Sequence, residues 1–175
     1  IRRAREIMKK AAAKLHRRGV TIPDPLPPMG VMIEVPGAAL AADAFAQASD
    51  FFAIGSNDLT MYTLAIDRGN EHVAHLFDPL HPGVLRLIQC TATAALRARI
   101  PVSICGEMAG DPRYSALLLG LGIRDLSMTP SSIPRVKQRI REMDMDAANR
   151  RAGVIMDQVD SGRIATLLDD FNALA

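Results

Sequence analysis

Residues able to do chemistry occur in this sequence where short apolar runs stop. Glu34 follows Gly30-Val31-Met32-Ile33, and Asn57-Asp58 follow Phe51-Phe52-Ala53-Ile54-Gly55-Ser56. Cys105-Gly106-Glu107 follow Pro101-Val102-Ser103-Ile104, and Ser127 follows Asp125-Leu126. Glu34 and Asp58, from neighbouring runs, can supply hard oxygen donors for Mg²⁺, an ion that keeps waters and leans on a substrate phosphate. Arg68, one helix beyond Asp58, suits forked pairing with phosphate oxygens. The Cys105 thiol can serve as nucleophile or proton donor. Plainer readings stand beside these. Asp58 can be a helix N-cap, Glu34 can pair with a structural arginine, Arg68 can pair on the surface with Asp67 or Glu71, and Cys105 can be an inert buried thiol.

The elements that must position these residues alternate. Apolar runs at Gly30–Pro36, Phe51–Ile54, Pro101–Cys105 and Asp125–Met128 are too short for helices and read as strands. Phe51 to Ile54 is also too apolar for a half-exposed strand, which predicts a parallel sheet covered on both faces. Helices are expected after each strand: an alanine-rich one opened by Pro36 and running through Ala38 to Ala48, one from the Asn57-Asp58 start to about Ile66, one from about Gly83 to Arg99, one capped by Asp111-Pro112, and one starting at Ser131, Ser132 and Pro134. Cys90 falls within the Gly83 helix and reads as a small core residue. Residues 1–18 predict an amphipathic helix with Ala4, Ile7, Met8, Ala11 and Leu15 on one stripe, ended by Gly19 and followed by a proline-rich connector. The stretch from Asp144 to Ala175 reads as helical with a break near Ser161-Gly162.

Repeated strand–helix order implies parallel strands joined by right-handed crossovers, with the chemistry at their carboxyl ends. The α/β chain offers four such units against the eight of a closed barrel, so the expected architecture is half a barrel with appended helices. Its divisions are a leading helix and connector over 1–29, four β/α units over 30–142, and terminal helices over 143–175, within one domain.

Composition narrows the class. Hydrophobic residues make up 49% and charged residues 23%, as in soluble globular proteins. The 21 Lys and Arg nearly balance the 19 Asp and Glu, so nothing supports a nucleic-acid partner. Four histidines and two cysteines show no zinc-type spacing and no disulfide framework, which points to a reducing cytoplasm. No signal peptide or membrane-length apolar run is present. The chain opens inside a basic helix without methionine, which reads as a piece of something longer.

Gly30-Val31-Met32-Ile33-Glu34-Val35-Pro36, Ile54-Gly55-Ser56-Asn57-Asp58-Leu59-Thr60 with Asp67-Arg68, and Cys105-Gly106-Glu107-Met108-Ala109-Gly110-Asp111 together resemble the carboxyl-terminal domain of enzyme I. That family is the phosphoenolpyruvate–protein phosphotransferase of the bacterial phosphotransferase system. The resemblance is dense over about residues 30 to 140 and leans slightly to the nitrogen-related paralogue. It implies that these units are the C-terminal half of a (β/α)8 TIM-type barrel that binds phosphoenolpyruvate and Mg²⁺, with Glu34 and Asp58 as metal ligands. Asn57, Asp58 and Arg68, with Gly106 and Glu107, would hold substrate, and Cys105 would protonate enolpyruvate. It further implies a histidine acceptor on another domain, a histidine-containing phosphocarrier partner, and a homodimer. The acceptor domain and the first half of the barrel are missing from this chain, so the piece alone is expected to be inactive. Met61 stands where many relatives carry glutamine. The competing readings are a barrel of the phosphoenolpyruvate synthase or pyruvate phosphate dikinase type, a metal-dependent aldolase or lyase acting on pyruvate enolate, and a non-catalytic dimerisation module.

Overall fold

The computed structural model describes residues 1–173. Four parallel strands form one sheet in the order β1-β2-β3-β4: β1 Val31–Ile33, β2 Phe52–Gly55, β3 Val102–Cys105 and β4 Asp125–Ser127. Each strand feeds a helical segment before the next, giving the architecture of a partial (β/α)8 barrel. The register aligns Ile33 with Ile54, Ile54 with Ile104, and Ile104 with Leu126. Because side chains alternate across a strand, that row shares one face with Phe52 and Val102. These residues, Leu126 excepted, are buried against the helices.

The opposite face differs from the expectation of a sheet covered on both sides. Met32 is exposed, Ala53 and Ser103 are half-buried, and Asp125 is exposed. Met32 apart, this face carries small or polar residues, as the inward side of half a barrel must where the described chain lays no helix over it. Its last row is Gly55, Cys105 and Ser127, aligned across β2, β3 and β4.

The main covering helix is α5, Pro82–Ala98, started by His81, whose Nδ1 accepts from the Gly83 N–H at 3.1 Å. Val84, Leu85, Ile88, Thr91, Ala92 and Ala95 make its buried face. Cys90 lies on the outer side and is exposed. The expectation of a core cysteine is therefore corrected, because buried positions at helical spacing leave position 90 turned outward.

The predicted alanine-rich helix is two short ones, α2 Pro36–Leu40 and α3 Ala42–Ala46, meeting at Ala41 (φ −95°, ψ 13°). The bend lets Ala39, Ala42 and Ala46 all be buried, with both pieces packed on α5. After β2 comes α4, Ser56–Leu64. Glu107–Gly110 (α6) and Pro112–Gly120 (α7) follow β3, with the Asp111 side chain accepting from the Arg113 N–H at 2.9 Å. Ile133–Arg141 (α8) follows β4. The terminal helices are α9, Met145–Met156, and α10, Ser161–Ala173, so the break falls just before Ser161. Ala152, Ile155, Ile164 and Leu168 carry them into the main core, and Arg113 forks onto Asp169 with Nε at 2.6 Å and Nη2 at 2.9 Å. The expected helical reach to Ala175 lies, for 174 and 175, outside the described residues.

The leading helix α1, Arg2–Arg17, buries none of its residues, and Ile7 of its apolar stripe is 58% exposed. It is tied down by Arg5, which donates to Asp50 Oδ2 at 3.0 Å and to the Ala48 carbonyl at 3.1 Å. Asp50 also accepts from the Met29 N–H at 2.6 Å. That backbone donor first, and Arg5 second, hold the Asp50 carboxyl below the usual carboxylate range. A lowered native value means the tie stabilises above the unfolded pKa and is lost as pH falls through the native one. Asp50→Asn is accordingly expected to speed amide exchange across Arg2–Arg17 while leaving β2 and β3 protected, and acidification should act in the same direction. Hydrogen-exchange mass spectrometry measures both, and unchanged exchange in α1 would show that the tie is idle.

Candidate functional site

The predicted site residues other than Arg68, which follows α4, sit at the carboxyl ends of the first three strands. Glu34 directly follows β1 and is half-buried. One residue past the Ile33–Ile54 pair, it lies opposite Gly55. A Cβ on Gly55 would come within 2.8 Å of Glu34 Oε2 and 2.9 Å of its Cβ. The missing side chain thus lets Glu34 lie over the end of β2, in line with Cys105 beyond it. Among the described residues Glu34 forms no ion pair, so the structural-arginine reading finds no support.

Asn57 and Asp58 stand in the first turn of α4, whose N-cap is Gly55, so Asp58 is not the cap. The turn is fastened by Ser56, fully buried, whose Oγ donates to the Cys105 carbonyl at 2.7 Å. That bond, between the end of β3 and the start of α4, was not foreseen. The signal available in the sequence was a serine directly after a buried strand, which needs an acceptor once it is dry.

Gly106 follows Cys105 with φ 98° and ψ −168°, a conformation essentially reserved for glycine. A Cβ there would meet Ser56 Oγ at 2.5 Å and Asn57 Oδ1 at 3.0 Å. The turn brings the Glu107 N–H to Asn57 Oδ1 at 3.2 Å. The Glu107 carboxylate accepts from Arg68 Nη2 at 2.8 Å, and the Arg68 guanidinium lies over the Phe77 ring, 4.9 Å from its centroid. Neither Asp67 nor Glu71 is the partner of Arg68; Asp67 instead accepts from the Gly69 N–H at 2.8 Å.

The Cys105 thiol is raised above its ordinary pKa, first by burial and then by the negative charges of Glu34 and Asp58. Both carboxylates therefore act on one sulfur, which remains a protonated thiol at neutral pH. An open cavity of about 800 Å³ runs along this end of the sheet. Asn57, Cys105, Gly106 and Glu107 line it, joined by Phe77, Tyr114 and Arg135, which the sequence reading passed over. Glu34, Asp58 and Arg68 edge the site without lining that cavity. Arg135 lies one turn into α8, a position marked in the sequence only by its distance from Ser132 and Pro134.

No cluster of three or more His, Cys, Asp or Glu suited to a metal ion occurs among the described residues. Two carboxylates at adjacent strand ends still fit Mg²⁺, which is held by one or two carboxylates with waters and substrate phosphate completing the shell.

A protein-family model for the PEP-utilising enzyme, PEP-binding domain, matches residues 1–145. The chain belongs to this family. Among curated relatives, a phosphoenolpyruvate-protein phosphotransferase from Cupriavidus necator is 49% identical over 153 residues, 87% of this chain and 25% of that protein. One of the same name from Haemophilus influenzae is 39% identical over 98% of this chain and 30% of its own length. A multiphosphoryl transfer protein from Xanthomonas campestris is 51% identical over 71% of this chain and 15% of its own. The chain thus spans a quarter to three-tenths of the phosphotransferases it matches.

Two outcomes test the geometry of this PEP-binding-domain site. Gly106→Ala is expected to destabilise the fold by about 1–3 kcal/mol, the cost of a non-glycine residue in that region, with more from the clash on Ser56. Urea unfolding monitored by circular dichroism measures it, and a loss below about 0.5 kcal/mol would contradict the described turn. Removing either negative charge beside Cys105, as Glu34→Gln or Asp58→Asn, should lower its pKa. The pH profile of iodoacetamide alkylation at Cys105, read by peptide mass spectrometry, should then move toward acid relative to wild type. An unmoved profile would place the carboxylates too far from the sulfur to matter.

Proposed function

We propose that this chain supplies the phosphoenolpyruvate- and Mg²⁺-binding site of a phosphoenolpyruvate–protein phosphotransferase. The observation that carries the reading is a half-buried, protonated Cys105 thiol on a cavity wall, under the charges of two carboxylates, with an arginine anchored alongside. A proton donor is what enolpyruvate requires, and a thiol kept neutral by burial and neighbouring acids is suited to that task.

In this reading Glu34 and Asp58 hold Mg²⁺, which supplies positive charge to the substrate phosphate when bound. Asn57 and Arg68 donate to the phosphate and carboxylate oxygens, with Asp58 and Gly106 completing the substrate side and the Glu107 carboxylate holding Arg68. Once the phosphoryl group has left for a histidine outside this site, Cys105 gives its proton to C3 of enolpyruvate. Pyruvate then forms with its methyl group complete, and the thiolate takes a proton from solvent. The phosphoryl group passes onward to a histidine-containing phosphocarrier protein. The names of the phosphotransferase relatives support this assignment, and the multiphosphoryl transfer protein among them suits it. Two free thiols suit a reducing cytoplasm. The uncovered stripe of α1 and the open inner face of the sheet suit association, including a homodimer.

Calorimetric titration of phosphoenolpyruvate tests the reading. With Mg²⁺ present the full-length protein carrying this chain is expected to bind, with chelation abolishing the signal and Asp58→Asn weakening it at least about tenfold, the effect of removing a charged ligand. The isolated chain is expected to bind more weakly under the same conditions. Silence from the full-length protein with Mg²⁺ would overturn the assignment.

A further inference from the structure

Glu107 is an odd neighbour for an anionic substrate. A carboxylate in direct contact with phosphate or carboxylate oxygens would repel them. The bonds it makes point elsewhere. Its backbone N–H donates to Asn57 Oδ1 at 3.2 Å and its carboxylate accepts one hydrogen bond from Arg68 Nη2 at 2.8 Å. One residue thus grips two others from the neighbouring β/α unit, through different groups.

Each grip has a directional consequence. With Oδ1 occupied by the Glu107 N–H, the Asn57 amide is fixed with Nδ2 on its opposite side, and Nδ2 makes no hydrogen bond among the described residues. Arg68 has five N–H donors in a rigid plane, of which the Glu107 contact uses one. The guanidinium carbon also lies over the Phe77 ring, 4.9 Å from its centroid, so the group is held by one donor and an aromatic while the other donors make no hydrogen bond among the described residues. Both Asn57 and Glu107 line the cavity. Side-chain exposure of 35% for Arg68 and 66% for Glu107 makes this a solvated ion pair, of small worth to global stability. Its value lies in orientation.

We propose that Glu107 is a positioning residue, which aims the free donors of Asn57 and Arg68 together at the anionic groups of the bound substrate. The inference rests on the phosphoenolpyruvate reading above and gives Glu107 a role exerted through its neighbours, without contact with substrate. It also separates Glu107 from an autoinhibitory acid, which would compete with substrate for Arg68.

The test is phosphoenolpyruvate titration, with Mg²⁺, into the full-length protein and its variants. Glu107→Ala is expected to weaken binding roughly three- to tenfold, and Glu107→Gln, which keeps the length and an acceptor oxygen, to restore part of the loss. In an Arg68→Ala background, Glu107→Ala should add little, because its main lever is already gone. Unchanged or tighter binding in Glu107→Ala overturns the proposal, as do fully additive losses in the double variant. If Glu107→Ala melts below the assay temperature, Glu107→Gln carries the same comparison, with a smaller but likewise non-additive loss expected and additivity overturning the proposal. Asp58→Asn in the same series keeps two failures apart. Wild type that binds, with Asp58→Asn weakened and Glu107→Ala unchanged, defeats only the positioning role; wild type that does not bind defeats the substrate reading beneath it.

Discussion

The site depends on the register of four parallel strands. Pairing Ile33 with Ile54, and Gly55 with Cys105 and then Ser127, ends the strands on a common transverse row, with Glu34 opposite Gly55. A slip of one residue would turn every side chain to the other face, sending Cys105 toward the helices and Ile104 into the open. Burial of Ile33, Phe52, Ile54 and Ile104 opposes such a slip, so the hydrophobic row on one face fixes the chemical row on the other. Gly55 and Gly106 then adjust distances within that row, the first by leaving room for Glu34 and the second by turning the chain tightly under Ser56.

The charges divide into two groups. Glu34 and Asp58 find no cation among the described residues, and together they press Cys105 toward its neutral form. Arg68 is already balanced by Glu107. Even with Arg135 on the cavity wall, acidic side chains outnumber basic ones here, which disfavours an anion unless a cation is present. On the proposed reading, a divalent ion and a phosphorylated substrate would each improve the site for the other.

Much of this was legible in the sequence, for physical reasons. Short apolar runs stopped by Gly, Pro or a polar pair left little doubt about the strands, and a carboxylate or thiol at the end of a buried strand has few inexpensive uses. What escaped notice was either non-local or lacked a local signal. Glu107 and Arg68 are 39 positions apart, and nothing in the spacing around either names the other. Ala41 bends a run of alanines that contains no breaker at the bend. The orientation of Cys90 was obscured because alanine, small enough for either face, blurs the periodicity of its helix. A strand of four apolar residues looks the same whether its second face is covered by its own helices or left toward a barrel interior, which is why two-sided cover was expected of this sheet.

Arg68 resting on Phe77 has a further effect, on hydration. A guanidinium above an aromatic ring has already surrendered the water on that face, and the ring quadrupole partly compensates its charge there. An approaching oxyanion need strip water only from the parts of the group turned away from the ring. The weak hydration natural to arginine is thereby weakened further at one position, and the desolvation that opposes capture of a highly charged ligand is partly completed during folding. The aromatic ring behind the cation makes the site drier before anything binds.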